Sequence, residues 1–539
     1  MKNNRNIITI STVFFLLLLS GCDDYLDSQP YSFTSRENFY TTGEEAEIAL
    51  VGCYNSLNGG GATFGQFLPF ILNGTTDECI ARDGITNQVT PFGLASYISS
   101  DQRLASVWST FYEGINRSNH LLTQLDGIED IGETRRVEIK GEARFLRGIY
   151  HMYLSMMFGA IPVKTEPDPE IGPRNSTKEV FAQIVEDLQF AYETLPETAG
   201  ISGAATKWAA AGYLARVYAY MGSAKKSGMG NELNFKLNSF DWVDVDEAYA
   251  NLLTLTTDIV NNSGYQLTEN YAYLFRETTR GAQSEEFLFA AEASSSATNM
   301  ITNRYGNAWL PYGPPSIGGN NSRWFGPLSE LFDKYHPKHL TDVRRANNIT
   351  RNMTANSNVE EIEGGRYYVP RIATGPNDGW LTSGKWRQRD PAQKDIPQWA
   401  SDAPYPLIRF ADVLLLHAEA LYENNNEAAA REVLTKIRER AAGEDIDVAV
   451  LDDAYYKADF LEELLDERSR ELCYESQRRF DLARFGVYDE VIRSLQTDRG
   501  VFNPTVGTLQ LNWAPYRIWF PIPLAELDLN PELEQNPGY

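Results

Sequence analysis

The stretch YPLIRFADVLLLHAEALYEN, residues 405–424, sets the reading of the whole chain. Leu407, Phe410, Ala411, Leu414, Ala418 and Leu421 recur at steps of three and four, the spacing that lines side chains along one face of an α-helix. Arg409 and Asp412 fall off that stripe. The same pattern recurs elsewhere. TKWAAAGYLARVYAYMG, residues 206–222, sets Trp208, Tyr213, Tyr218 and Tyr220 among alanines, and small residues beside large ones let neighbouring helices approach closely. Its partner is DVDEAYANLLTLTTDIVNNSGY, residues 244–265, where Asp244 or Asp246 can cap the start and Gly264 can end the helix. Similar pairs fall at about 135–158 with 176–194, 405–423 with 426–442, and 457–474 with 476–486. They predict an all-α fold: a tetratricopeptide-like repeat scaffold of about four helix pairs, irregularly spaced, with long loop insertions between them.

The insertions differ in composition. Residues 59–103 run through GGGATFG, NGTTDECIARDG and PFGLASYISS, and residues 265–400 include NAWLPYGPPSIGGNNSRWFGP. So many rings are foreign to disordered linkers, so both read as long ordered loops over the helical scaffold, where binding residues usually lie. Sugar rings present apolar C–H faces that stack on aromatic planes while short polar groups bond the hydroxyls. Trp309, Tyr312 and Trp324 with Arg323, and Asn73, Asp77, Arg82, Phe92 and Tyr97, supply both kinds of group. Trp380 and Trp386 are weaker candidates.

Bulk composition removes other classes. With 48 Lys+Arg against 73 Asp+Glu the net charge is −25, which opposes nucleic-acid binding. Four cysteines and five histidines show no metal-ligand spacing, so neither a metal nor a cofactor is expected. A Cys53–Cys79 disulfide is conceivable but is not fixed by sequence.

The amino terminus reads as an address. Lys2 and Arg5 precede an apolar run, Ile7 to Leu19, that as a helix reaches about 20 Å, short of a hydrocarbon core of about 30 Å. It is a signal-peptide core. Leu19-Ser20-Gly21-Cys22 resembles the bacterial lipobox, which implies a signal peptide over 1–21, acylation of Cys22, and a polar tether over 22–36. Asp23 and Asp24 resemble the acidic export tag of surface lipoproteins.

Four blocks together resemble the SusD/RagB family of nutrient-binding lipoproteins: residues 138–167, 405–421, 467–486 (ERSRELCYESQRRFDLARFG) and 520–539 (FPIPLAELDLNPELEQNPGY). Against the family pattern ERRxELxxEGxRWFDLxRWG, Ser469, Ser476, Arg479 and Phe485 are departures that suggest local repacking. The resemblance implies one SusD-like domain over 37–539, with parts at about 37–330 and 331–539. It also implies a non-catalytic, outer-membrane, lipid-anchored protein facing the cell exterior. Such a protein captures glycan and acts as a hinged lid on a SusC-like TonB-dependent transporter. Peptide is an alternative ligand, and a lipid-anchored glycan hydrolase is the alternative activity. Glu471 and Glu475 would be its carboxylate pair, but nearby arginines such as Arg479 favour ionised carboxylates over a general acid. The charged run 467–484 reads instead as an ion-pair network of the kind found on exposed helix faces.

Overall fold

The computed structural model describes residues 39–539 except 59–60, 83, 85–86, 168–170, 277–278, 294–323, 353–358, 363–364, 369–371, 380, 387–402 and 501–502. The signal peptide, Cys22 and the tether therefore lie outside the described residues, as do Trp309, Tyr312, Arg323 and Trp380.

The body is mostly helical. Six helices run in order through the first half: α1 (Gly43–Asn55), α2 (Gln102–Gln124), α3 (Glu133–Phe158), α4 (Thr177–Thr194), α5 (Lys207–Ser227) and α6 (Val245–Asn262). Each of α2 to α6 packs on the helix before it. The order continues with α7 (Phe410–Glu423), which lies against α6 and carries α8 (Glu427–Ala441) and α9 (Phe460–Leu472), followed by α10 (Arg478–Arg484). Local signals set the helix ends. Thr42 with Glu45 and Ser176 with Glu179 form capping boxes on α1 and α4, and Asp244, not Asp246, caps α6. Helices α3 and α5 are buried nearly all round, which marks them as the centre of the stack.

The opening stretch divides in two. Tyr405–Arg409 is not the start of a helix but a strand, pairing antiparallel with Phe287–Ala291, and α7 begins only at Phe410. Ile408 on that strand presses on α5 at Gly212, where a Cβ would fall 2.7 Å from Ile408 Cδ1. Arg409 and Asp412, off the predicted stripe, are buried rather than solvated.

The first insertion is likewise not a surface loop. Residues 61–100 hold a helical turn (Leu68–Asn73) and a strand, Cys79–Ala81, that pairs antiparallel with Phe325–Pro327, and most of their side chains are buried. Cys53, Cys79 and Cys473 are all buried free thiols, so Cys53 and Cys79 do not pair.

Candidate functional site

The predicted ligand residues separate into two groups. Four of them are interior. Asn73 donates Nδ2 to Pro69 O (2.6 Å) and Tyr474 O (3.1 Å) and accepts from Ser476 N (2.9 Å). Asp77 takes a bidentate contact from Arg478 at 2.7 and 2.6 Å and another from Lys334 at 2.7 Å. Phe92 stacks on Tyr97, and Tyr97 donates its hydroxyl to Arg517 O (3.1 Å). These side chains join the 70–100 segment to the carboxy-terminal third and present no surface to a ligand. Short polar groups among rings serve a buried hydrogen-bonded turn as well as a sugar platform, and composition alone does not separate the two.

The second group is open. Trp324 is half-buried, and its ring leans on Phe70 (centroids 5.6 Å apart), which itself stacks on Phe325. Arg82 follows the strand Cys79–Ala81 and extends its ladder, donating backbone N–H to Trp324 O (3.0 Å). Its side chain is partly exposed, but its Nε–H is buried and has no hydrogen-bond partner among the described residues. Phe67, at the N-cap of the helical turn that carries Phe70, is a second half-buried ring, and the Arg103 guanidinium lies 3.8 Å from its centroid. Trp324 and Phe67 are thus two half-buried rings, the second under a guanidinium, groups of a kind that can stack on a flat apolar face and bond hydroxyls or carbonyls. Sequence reading missed Phe67 and Arg103. Their signal was position: one precedes the turn that carries Phe70, and the other opens the helix that follows the ring-rich insertion. Trp386 is buried in the core against Phe275 and Tyr405.

The Glu471–Glu475 pair is enclosed. Arg409 bonds both, at 2.7 Å to Glu471 Oε1 and 2.8 Å to Glu475 Oε2. Arg344 and Arg440 complete the shell of Glu471, and Lys385 reaches Glu475 at 2.5 Å. Burial alone would raise the Glu471 carboxyl, but Arg440, Arg409 and Arg344 overcome it and hold the group far below the usual carboxylate range. A carboxyl held ionised in this way cannot donate a proton. The ion-pair network expected on an exposed helix face is thus an interior one, and Arg479 takes no part in it. The Arg479 guanidinium lies 4.0 Å from the Phe520 centroid and donates to the hydroxyls of Tyr488 and Tyr97, a flat cation in the slot where the family pattern has tryptophan. Among the described residues no cluster of His, Cys, Asp and Glu could hold a metal ion, and no helix is long and apolar enough to cross a membrane.

The profile described as SusD family matches residues 285–539, and one described as starch-binding associating with outer membrane matches residues 24–219. The chain belongs to the SusD/RagB family. It is 25% identical to SusD-like protein P25 of Formosa agariphila, with 99% of each chain covered. It is 23% identical to the starch-binding protein SusD of Bacteroides thetaiotaomicron, over 86% of this chain and 84% of that one. Its fold matches that of a solved laminarin binding SusD-like protein with a TM-score of 0.67 at 21% identity, over 93% of this chain and 100% of the other. In SusD/RagB terms the open surface at Trp324 belongs to the carboxy-terminal match, whereas Phe67, Arg82 and Arg103 come from the amino-terminal one.

Proposed function

We propose that this SusD/RagB protein binds glycan at the outer membrane and delivers it, as a hinged lid, to a SusC-like TonB-dependent transporter. The observation that carries the reading is Trp324, a half-buried ring braced by Phe70 and held at its backbone carbonyl by Arg82 N–H, in a family with starch-binding and laminarin-binding relatives. Trp309, Tyr312 and Arg323 also take part in ligand binding in this proposal. Cys22 carries the lipid anchor, the Asp23-Asp24 pair routes the protein to the outer face, and the protein performs no chemistry on the glycan.

Calorimetric titration with starch, laminarin and xyloglucan oligosaccharides tests this. One of them should bind, and Trp324→Ala should weaken it by tenfold or more, in line with the loss of about 1.4 kcal/mol or more. Unchanged affinity in that variant removes the site. Shortened oligosaccharides accumulating in the cell would replace the binding reading with the hydrolase one, and binding of peptides alone would replace the ligand class. Cys22→Ser should release the protein from the membrane fraction of the cell.

A further inference from the structure

A second concave surface lies apart from Trp324, between α1, the start of α3 and the 196–205 connection ahead of α5. It encloses about 830 Å³, within the range of pockets that take up a small ligand or a peptide side-chain cluster. Helix α1 is apolar on two faces. Ala46, Ala49, Leu50 and Cys53 face the core, while Ile48 and Val51 are 55% and 67% exposed and form one wall of the groove. Ile201, 67% exposed on the facing connection, forms the other wall. From Thr198 to Ala205 that connection is otherwise built of small residues, and at Gly203 (φ +84°) an added Cβ would meet Glu292 Cγ at 2.7 Å, so the wall stays thin there.

The polar end of the groove is acidic. Glu47, Glu138, Glu142 and Glu292 line it against one guanidinium, Arg135. Arg135 binds Glu47 at 2.6 Å, Glu142 at 2.9 Å and Glu138 at 3.1 Å, so three carboxylates share one cation. Tyr54 donates its hydroxyl to Glu142 (2.6 Å) and accepts from Ala205 N (2.8 Å), which fixes the floor. Beside it Asn58 donates to Glu292 O (2.6 Å) and leaves its Oδ1 without a hydrogen-bond partner.

Aliphatic walls with surplus negative charge suit neither a sugar, which stacks on rings, nor an acidic ligand. We infer that this groove docks a partner protein through a short segment in which aliphatic side chains alternate with lysine or arginine. The aliphatic groups would cover Ile48, Val51 and Ile201, and the cations would neutralise the charge that Arg135 leaves over. Neither element of this fit depends on the Trp324 site, so the two proposals stand or fall separately.

The test uses the purified full chain and a fluorescent hexapeptide alternating leucine and lysine, with a leucine–glutamate peptide as counterpart, read by anisotropy. The lysine peptide should bind saturably and the glutamate peptide should not. Val51→Lys and Ile201→Lys should each weaken binding tenfold or more, and raising salt from about 50 to about 500 mM should weaken it severalfold. Both side chains are exposed, so circular dichroism and melting temperature should stay at wild-type values. Absence of saturable binding, or wild-type affinity in both variants, overturns the proposal. So does displacement of the peptide by an oligosaccharide, which would make the groove a sugar site, or a dimer in sedimentation that Val51→Lys abolishes, which would make a second copy the occupant.

Discussion

Glu78 carries a proton at a pH where carboxyls are ordinarily ionised. Its side chain is 1% exposed, meets Ser469 Oγ at 3.0 Å and accepts from Tyr474 N at 3.2 Å. Burial pushes its pKa up from the usual 4.5 to about 7, with Arg478 opposing and the charge of Asp77 adding. Between these two values the unfolded chain has released this proton while the folded protein keeps it. The contribution of the group to stability is therefore complete below pH 4.5, falls as pH rises to about 7, and is level above that. Glu78→Gln keeps a carbonyl for Tyr474 N and a polar partner for Ser469 without a charge to bury. At pH 8 the variant should be more stable than wild type by at most about 3 kcal/mol, with the gain vanishing near pH 4.5, as measured by urea denaturation across pH. A gain that does not change with pH would mean that Glu78 is not the titrating group. The partner residue Ser469 is one of the departures from the family pattern, and a second, Ser476, holds φ +64°, a left-handed conformation suited to the glycine usual there. Ser476 Oγ lies 2.7 Å from Tyr405 Oη and its N–H bonds Asn73, contacts that a glycine would supply only in part. Both serines therefore bond the 70–80 segment, which is where the local repacking lies.

At the scale of elements, helix α9 shows what periodicity can and cannot reveal. Glu463, Glu467 and Glu471 recur every four residues and so lie along one face, which is legible in sequence. That this face is buried against Arg438, Arg344, Arg440 and Arg409 is not legible, because those arginines come from three other elements brought there by tertiary packing. Desolvating so many charges gives little net stability, but removing one partner strands the others. Glu471→Ala leaves Arg344, Arg409 and Arg440 short of a carboxylate and should cost about 3–5 kcal/mol in urea denaturation, with exposed Glu444→Ala near zero as control. Caps behave differently. The Ser176–Glu179 box on α4 is exposed and local, so Ser176→Ala should cost about 1 kcal/mol. Helix existence and ends are set by neighbours along the chain, and Asp244 and Gly264 were readable for that reason. The strand Tyr405–Arg409 was not, since its apolar side chains fit either period and only its partner, Phe287–Ala291, decides between them. The candidate residues show the same limit: Trp324 and Arg82 were named by residue type, whereas the Phe67–Arg103 contact is visible only in the fold.

At the scale of the molecule, the contacts that sequence reading could not see are the ones that join its two parts. Asn73 bonds Tyr474 and Ser476, Asp77 pairs with Arg478, Glu78 meets Ser469, and Arg479 reaches Tyr97, all across 382 to 403 residues of chain. At the carboxy terminus Arg174 donates to Glu534 O (2.8 Å) and Asn536 Oδ1 (2.7 Å), while Asn536 donates to Phe158 O (2.9 Å) and Tyr539 donates to Trp519 O (2.9 Å), which ties the final NPGY segment to the end of α3. Residues far apart in the chain thus share buried charge pairs, since Asp77 without Arg478 would be a buried carboxylate with only Lys334 beside it. A chain of this length can unfold in stages when its parts have separate cores. Here one calorimetric transition is expected for the body, with calorimetric and van't Hoff enthalpies in agreement. Asp77→Ala should lower the temperature of that whole transition, because the lost pair belongs to both parts. Two resolved transitions, with only one of them moved by Asp77→Ala, would instead make 37–330 and 331–539 independent domains.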